Sequence, residues 1–313
     1  LKVVCFLPDS IAFQNKLGML TRSAGVDFQP CKTEEEAKLF ASKEKNDRFF
    51  LFTDAKKVDF LKEFSFAYPE SRIIVILQES LQKIIPSLID CVNIQCFVAT
   101  NNGEFDAREL ILLLKKFESK DYPGLDKHLG FPAIFSEKII KNQADKREAL
   151  TLLEGFILKI GGNTERFKQY AQRVCDLADE LLLNAVFDAN PRLKDKARHE
   201  PFELQDQESV KMKWGFDGEV FGISVLDQFG GLTKKTVMQY LDDNQKTESM
   251  GKRASGGLGI KLIFDRLHHY IVNVKPGKTT EIVCLMRFDK RFKDFDSRLR
   301  SFHFFLVEDH QTK

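Results

Sequence analysis

The sequence predicts two units in series, the first α/β with a parallel sheet and the second α+β. Three observations lead there. Up to about residue 118, short apolar runs alternate with segments of helical periodicity, and strands covered by helices on both faces belong to parallel sheets. Residues 119–136 contain Pro123, Gly124, Gly130 and Pro132, which break a helix and mark a linker. Beyond them, two long helical stretches precede a strand hairpin and a later group of strands. The expected domains are therefore residues 1–118, a linker at 119–136, and residues 137–313. At 313 residues the chain is long enough for each to bury a core.

In the first unit, Val3-Val-Cys-Phe-Leu7 reads as a strand ended by Pro8-Asp9, and residues 11–24 follow with helical periodicity. A weaker strand covers residues 27–31, and Thr33 caps a helix over residues 33–42. Phe49-Phe-Leu-Phe-Thr53 runs into Asp54. Arg72-Ile-Ile-Val-Ile-Leu77 and Ile94-Gln-Cys-Phe-Val98 are two further buried strands, and residues 106–117 close the unit as an amphipathic helix.

The second unit opens with an expected helix over residues 136–160, its apolar positions including Ile139, Ile140, Leu153 and Ile157. Gly161-Gly162 ends it, and Asn163 or Thr164 caps the next helix. That helix buries Phe167, Tyr170, Val174, Leu177 and Leu181. A neighbouring stripe carries Asp176, Glu180, Asn184 and Asp188. Its acids repel one another by a few tenths of a kcal/mol per close pair, and no basic residue lies between them in the stripe. Asn184, within Leu-Leu-Leu-Asn-Ala-Val-Phe, needs a partner for its amide. A magnesium ion would answer both needs; a solvated acidic face on a core helix is the simpler alternative.

Val210, Met212, Trp214 and Phe216 alternate with Lys211, Lys213 and Gly215, then Asp217-Gly218 signals a tight hairpin. The return strand, residues 219–226, ends at Asp227-Gln-Phe-Gly230-Gly231. A carboxylate fixed at a strand end can accept a hydrogen bond from the exocyclic amine of adenine, and adjacent glycines let backbone approach a flat ring. A plain turn is the alternative. Residues 233–241 read as a helix, and residues 242–255 as a polar connection of the length seen in active-site lids. Lys252 and Arg253 precede Gly256-Gly257-Leu-Gly259, which opens a helix with Ile260, Ile263, Phe264 and Leu267 inward. Glycines at a helix amino terminus expose N–H groups to an anion. Strands over residues 269–274 and 280–288, joined by Pro276-Gly277-Lys278, and a last strand over residues 302–307 complete the chain.

Bulk properties narrow the function classes. Hydrophobic residues make up 43 % and charged residues 30 %, and the net charge is +2, so no strong field points to nucleic acid. Acids interrupt the basic residues between Arg287 and Arg300, which reads as a solvated connection. No apolar run approaches the ~20 residues of a membrane span, and Pro8-Asp9 cuts the first apolar stretch too short for a signal peptide. The six cysteines are scattered without a CxxC pair, as expected for reduced core residues of a cytoplasmic protein.

The order of strands and helices in the first half resembles the receiver domain of bacterial response regulators, which implies a flavodoxin-like parallel sheet. Asp54 falls in the slot of that family's phosphorylated aspartate. The surroundings depart from the pattern: Pro8-Asp9 supplies one acid where a pair holds magnesium, Gln78 replaces a hydroxyl residue, and Ala99-Thr100-Asn101 lacks the lysine. Phosphoryl transfer needs such charges neutralised. Two readings stay open for Asp54, a phosphoacceptor or a loop residue in a domain used for contacts.

Residues 145–290 resemble the GHKL, or Bergerat-fold, ATP-binding domains, which implies a two-layer α/β sandwich holding ATP and Mg2+. By that resemblance Asn184 coordinates the metal, Glu180 is the general base, and Asp227 binds adenine. Gly230, Gly231, Gly257 and Gly259 shape the pocket and its lid, and Thr279 or Thr280 supports the nucleotide, with Thr280 preferred. Two positions depart from the pattern: Asp188 stands where a basic residue is common, and Ser255 where a glycine is. Residues 136–160 hold no histidine, and His128 lies in the linker. With Glu180 available as a base, the closer resemblance is to the anti-sigma-factor type of serine/threonine kinase. The expected molecule is a bacterial signal-transduction kinase acting on a protein partner, with a homodimer as the assembly to test. The alternatives are a nucleotide-gated binding module or ATPase, and a divergent histidine kinase.

Overall fold

The computed structural model describes residues 2–7, 11–43, 49–101, 104–162, 164–242, 259–261, 263–288 and 298–308. It divides into two units. The first comprises Leu1–Tyr122 with Lys234–Lys246 and Ser297–Phe304; the second comprises Pro123–Thr233 with Thr247–Asp296 and Phe305–Lys313.

In the first unit, β1 (Lys2–Phe6), β2 (Asp27–Cys31), β3 (Phe49–Asp54), β4 (Arg72–Leu77) and β5 (Ile94–Asn101) form a parallel sheet in the order β2-β1-β3-β4-β5. That is the flavodoxin-like order. Helices α1 (Ile11–Ser23), α2 (Glu34–Lys43), α3 (Val58–Ala67), α4 (Leu81–Leu88) and α5 (Ala107–Ser119) make the crossovers. Leu51, Phe52 and the run from Ile73 to Leu77 are buried, which is why these strands read as unbroken apolar runs. Thr33 accepts from the Glu36 amide at 3.2 Å and Asp106 from the Arg108 amide at 2.9 Å, capping α2 and α5. A short strand, β6 (Glu104–Phe105), turns back on β5.

Two later segments complete this unit. The last strand, β12 (Ser301–Leu306), pairs antiparallel with β5, with Phe302 opposite Phe97 and His303 opposite Cys96. The sequence alone assigns this strand to the second domain. Its place on β5 has a physical cause: it covers a row of backbone groups that would otherwise be an open edge. Phe302 stacks on Phe97 at 6.1 Å, the Ser301 hydroxyl accepts from the Ala99 amide at 3.0 Å, and His303 Nε2 meets Glu109 Oε1 at 2.8 Å. Helix α8 (Lys234–Leu241) packs on α4, and the Lys234 ammonium donates to the Cys91 carbonyl at 2.6 Å.

The second unit is an antiparallel sheet of β7 (Ile134–Ile140), β8 (Val210–Phe216), β9 (Val220–Asp227), β11 (Thr279–Arg287) and β10 (His269–Lys275), in that spatial order. Helices α6 (Gln143–Gly161) and α7 (Glu165–Leu183) pack together and against the sheet, with Phe156 of α6 6.1 Å from Phe221 of β9. The start of α6 corrects the expected helix over residues 136–160, whose first part is β7. Ile139 and Ile140 fit a helical stripe as well as a strand, and the cap decides between them. Asn142 accepts from the amides of Ala144 (2.9 Å) and Asp145 (3.0 Å) and fixes the helix start just behind β7. Thr164 caps α7. At the β8–β9 turn, Asp217 accepts from Glu219 and Val220, and Gly218 takes φ 99°.

Trp214, Phe221, Tyr270, Phe187 and Phe264 are buried in the second unit's core, each contributing on the order of 2–3 kcal/mol. All six cysteines are free thiols. Burial pushes Cys31 up to about 11 and Cys175 up to about 12, so both stay protonated and unreactive near neutral pH. Among the described residues no helix is long and apolar enough to cross a membrane.

Candidate functional site

In the first unit, Asp54 ends β3 and is 7 % exposed. Its Oδ2 accepts from Gln78 Nε2 at 2.6 Å and its Oδ1 from the Lys56 amide at 2.8 Å. Thr100, near the end of β5, donates to the Leu77 carbonyl at 2.7 Å. The carboxylate is thus held by a side-chain amide and a backbone N–H, both neutral. Pro8 and Asp9 lie outside the described residues.

The second unit brings Asp227, Thr280 and Gly230 together. Asp227 is the last residue of β9 and Thr280 stands directly opposite it on β11, which distinguishes Thr280 from Thr279. Asp227 is 6 % exposed. Burial raises its pKa to about 6, opposed by hydrogen bonds from Phe229, Gly230 and Thr280; the Phe229 amide donates to Oδ1 at 2.9 Å. Gly230 takes φ 60°. A Cβ there would stand 2.2 Å from the Lys275 carbonyl oxygen and 2.7 Å from the Lys278 nitrogen, while Gly277 donates to the Gly230 carbonyl at 3.2 Å. Gly230 therefore lets the β10–β11 turn close on the loop after β9. A Cβ on Gly231 would meet nothing within 4 Å.

Glu180 and Asn184 lie at the end of α7, where the helix widens into a π-turn over Asn184–Asp188. The stripe's missing basic partner is Arg198, from the loop after that turn. Its Nη1 donates to Glu180 Oε1 at 2.7 Å, and its Nη2 to Asn184 Oδ1 at 3.0 Å and to Asp188 Oδ2. The guanidinium side chain is 18 % exposed. Asn190 and Leu193, both buried, anchor the loop, and Arg192 bonds to Glu208 further along it, holding that carboxyl down at about 2. Gly259 sits against the same oxygen: a Cβ there would stand 1.9 Å from Glu180 Oε1. Gly259→Ala is expected to push the Glu180 carboxylate off Arg198 and lower the melting temperature by a degree or two, the size of one lost ion pair of about 0.5–1 kcal/mol, because the carboxylate tip can swing aside. A scanning-calorimetry trace superimposable on the parent's would refute that contact.

Whether this set suits a magnesium ion follows from what it already holds. Oxygens of Glu180, Asn184 and Asp188 converge on one cation, and an all-oxygen set is what a hard divalent ion takes. The guanidinium stands in for that ion, so the residues fit. The stand-in is imperfect. Among the described residues, Arg198 Nε and Asn184 Nδ2 are buried without a hydrogen-bond partner, at roughly 1–3 kcal/mol each. Arg198 was not legible in the sequence, because it lies in a polar loop without periodicity. Gly257, Lys252, Arg253 and Ser255 lie outside the described residues. Ile260, Ile263, Phe264 and Leu267 are buried as expected.

No family model and no curated protein matches the chain. Three solved structures are among those similar to it. One is the signal receiver domain of an HD domain-containing protein from Pseudomonas fluorescens Pf-5, 17 % identical with TM-score 0.33, covering 38 % of this chain and 88 % of that one. Another belongs to the co-crystal structure of the Saccharomyces cerevisiae histidine phosphotransfer signaling protein Ypd1 with the receiver domain of its downstream response regulator Ssk1. It is 11 % identical with TM-score 0.32, covering 40 % and 95 %. A third is NtrX from Brucella abortus in complex with ADP, 14 % identical with TM-score 0.30, covering 58 % of this chain and 35 % of that one. The receiver-like fold of the first unit stands on its own strand order.

Proposed function

We propose that the chain is a signalling protein whose second unit binds ATP, with Asp227 reading the adenine and the Glu180–Asn184–Asp188 stripe facing the phosphates. One observation carries this reading: a buried carboxylate at a strand end, paired across the sheet with Thr280 and flanked by Gly230 and Gly231. Burial of this carboxylate is costly even with its backbone hydrogen bonds, and the exocyclic amine of adenine is a further donor for it. Magnesium, when bound, would neutralise phosphate charge at Asn184. Glu180 would take the proton from an attacking hydroxyl, on a serine or threonine of a protein partner or on water. The first unit, with Asp54 held by neutral donors, serves as the regulatory contact domain.

The Arg198 contact on Glu180 favours a second reading, in which nucleotide binding gates a protein contact and no phosphoryl group is transferred. Calorimetric titration of ATP and GTP into the full chain tests the shared part. ATP is expected to bind at least about tenfold more tightly than GTP, whose O6 is an acceptor facing an acceptor. A folded chain that binds neither nucleotide sinks the reading. Labelled ATP then separates the two forms: phosphoserine on a partner protein, or nucleotide retained without transfer.

A further inference from the structure

Arg198 answers a charge problem that the α7 stripe cannot solve alone. Glu180 and Asp188 bring two negative charges to one place, and the guanidinium supplies one positive charge. The set is left one charge short of neutral. Among the described residues it also contains two buried N–H groups without partners, Arg198 Nε and Asn184 Nδ2. A divalent ion would balance the two carboxylates in full and needs Asn184 Oδ1, which Arg198 Nη2 now occupies at 3.0 Å. Guanidinium and ion therefore compete for the same three oxygens.

We infer that Arg198 is a built-in competitor for the divalent cation, a latch that must leave Glu180, Asn184 and Asp188 before a metal ion can take them. Its position suits release: it comes from a turn, not from a helix or strand, and keeps part of its side chain in solvent. The loop is anchored upstream by Asn190, whose Oδ1 accepts from the Arg192 amide at 2.9 Å, and by the Arg192–Glu208 bond. Swinging out Arg198 therefore leaves the path of the loop intact. While latched, it also holds the Glu180 carboxylate, the proposed base. This inference rests on the assignment of the stripe to the phosphate side of the proposed site, and it is tested without nucleotide.

The full chain and its Arg198→Ala variant are melted in increasing MgCl2, with NaCl at matched ionic strength as the control. At about 10 mM Mg2+ the variant is expected to gain several degrees that NaCl does not supply, while the parent moves little. Arg198→Gln, which keeps a donor toward the same oxygens but no charge, is carried alongside in case the alanine variant fails to fold. Mg2+ that shifts parent and folded variant equally, or neither of them, overturns the latch. ATP titration into the same variants keeps the two ideas apart: Mg2+ stabilisation of the variant without ATP binding would sustain the latch and remove the nucleotide reading.

Discussion

Gly230→Ala is expected to lower the unfolding free energy of the chain by about 3–5 kcal/mol. Two costs add. An alanine at φ 60° is held in the left-handed region, at roughly 1–3 kcal/mol. Its Cβ would also stand 2.2 Å from the Lys275 carbonyl oxygen and 2.7 Å from the Lys278 nitrogen. Both are backbone atoms, so no side chain can swing away, and overpacking of this kind costs about 1–3 kcal/mol. The β10–β11 turn must then lift from the loop after β9, breaking the Gly277–Gly230 hydrogen bond. Urea denaturation reads the loss as a lower midpoint. Gly231→Ala is the control: a Cβ there meets nothing within 4 Å, and a change below about 1 kcal/mol is expected. Equal losses at the two glycines would show that the close approach at Gly230 has been misread.

The second large effect is a trade between stability and binding at Asp227. Its folded pKa of about 6 lies above the ordinary 3.8, so folding favours the protonated form. The stabilisation from this group is present in full below about pH 4 and is lost as pH rises through 6; two pKa units correspond to about 3 kcal/mol. Asp227→Asn has no charge to lose. At pH 8 the variant is expected to be about 1–3 kcal/mol more stable than the parent, and near pH 4 the two should coincide. If the carboxylate binds adenine, the same substitution weakens ATP binding by about 100-fold. Parent affinity should also fall as pH drops below about 6, where the acceptor becomes protonated. A variant less stable than the parent at pH 8 would argue against a strained, buried carboxylate; unchanged ATP affinity would argue against its role in binding.

The legible parts of the molecule are those encoded locally. Strands such as Ile73–Leu77 are continuous apolar runs because helices cover both faces, and Asp217-Gly218 sits where a two-residue turn demands it. The strand end at Asp227 and the close turn at Gly230 are likewise set by local sequence. The failures have a different origin. Residues 134–140 carry apolar positions that suit either period, and only the Asn142 cap and seven pairings with β8 make them a strand. Thr280 was separable from Thr279 only by the register of β11 on β9. Arg198 reaches the stripe from a loop, and nothing in its local sequence marks it. The grouping of α8 and β12 with the first unit depends on contacts across most of the chain.

That last grouping bears on how the protein is made. Ala99 and Ser301 bond across 202 residues, so during synthesis β5 leaves the ribosome long before its partner strand exists. The first unit leaves the ribosome ahead of the second, yet is completed only once β12 has been made, and long-range pairing of this kind is slow. A fragment ending near Tyr122 would carry the five parallel strands but not β12, and the β5 edge at Cys96 and Phe97 would be free to recruit strands from other chains. Dissecting this protein at the apparent linker would therefore produce an aggregation-prone piece, and a receiver-like unit fit for study in isolation needs β12 grafted back beside β5.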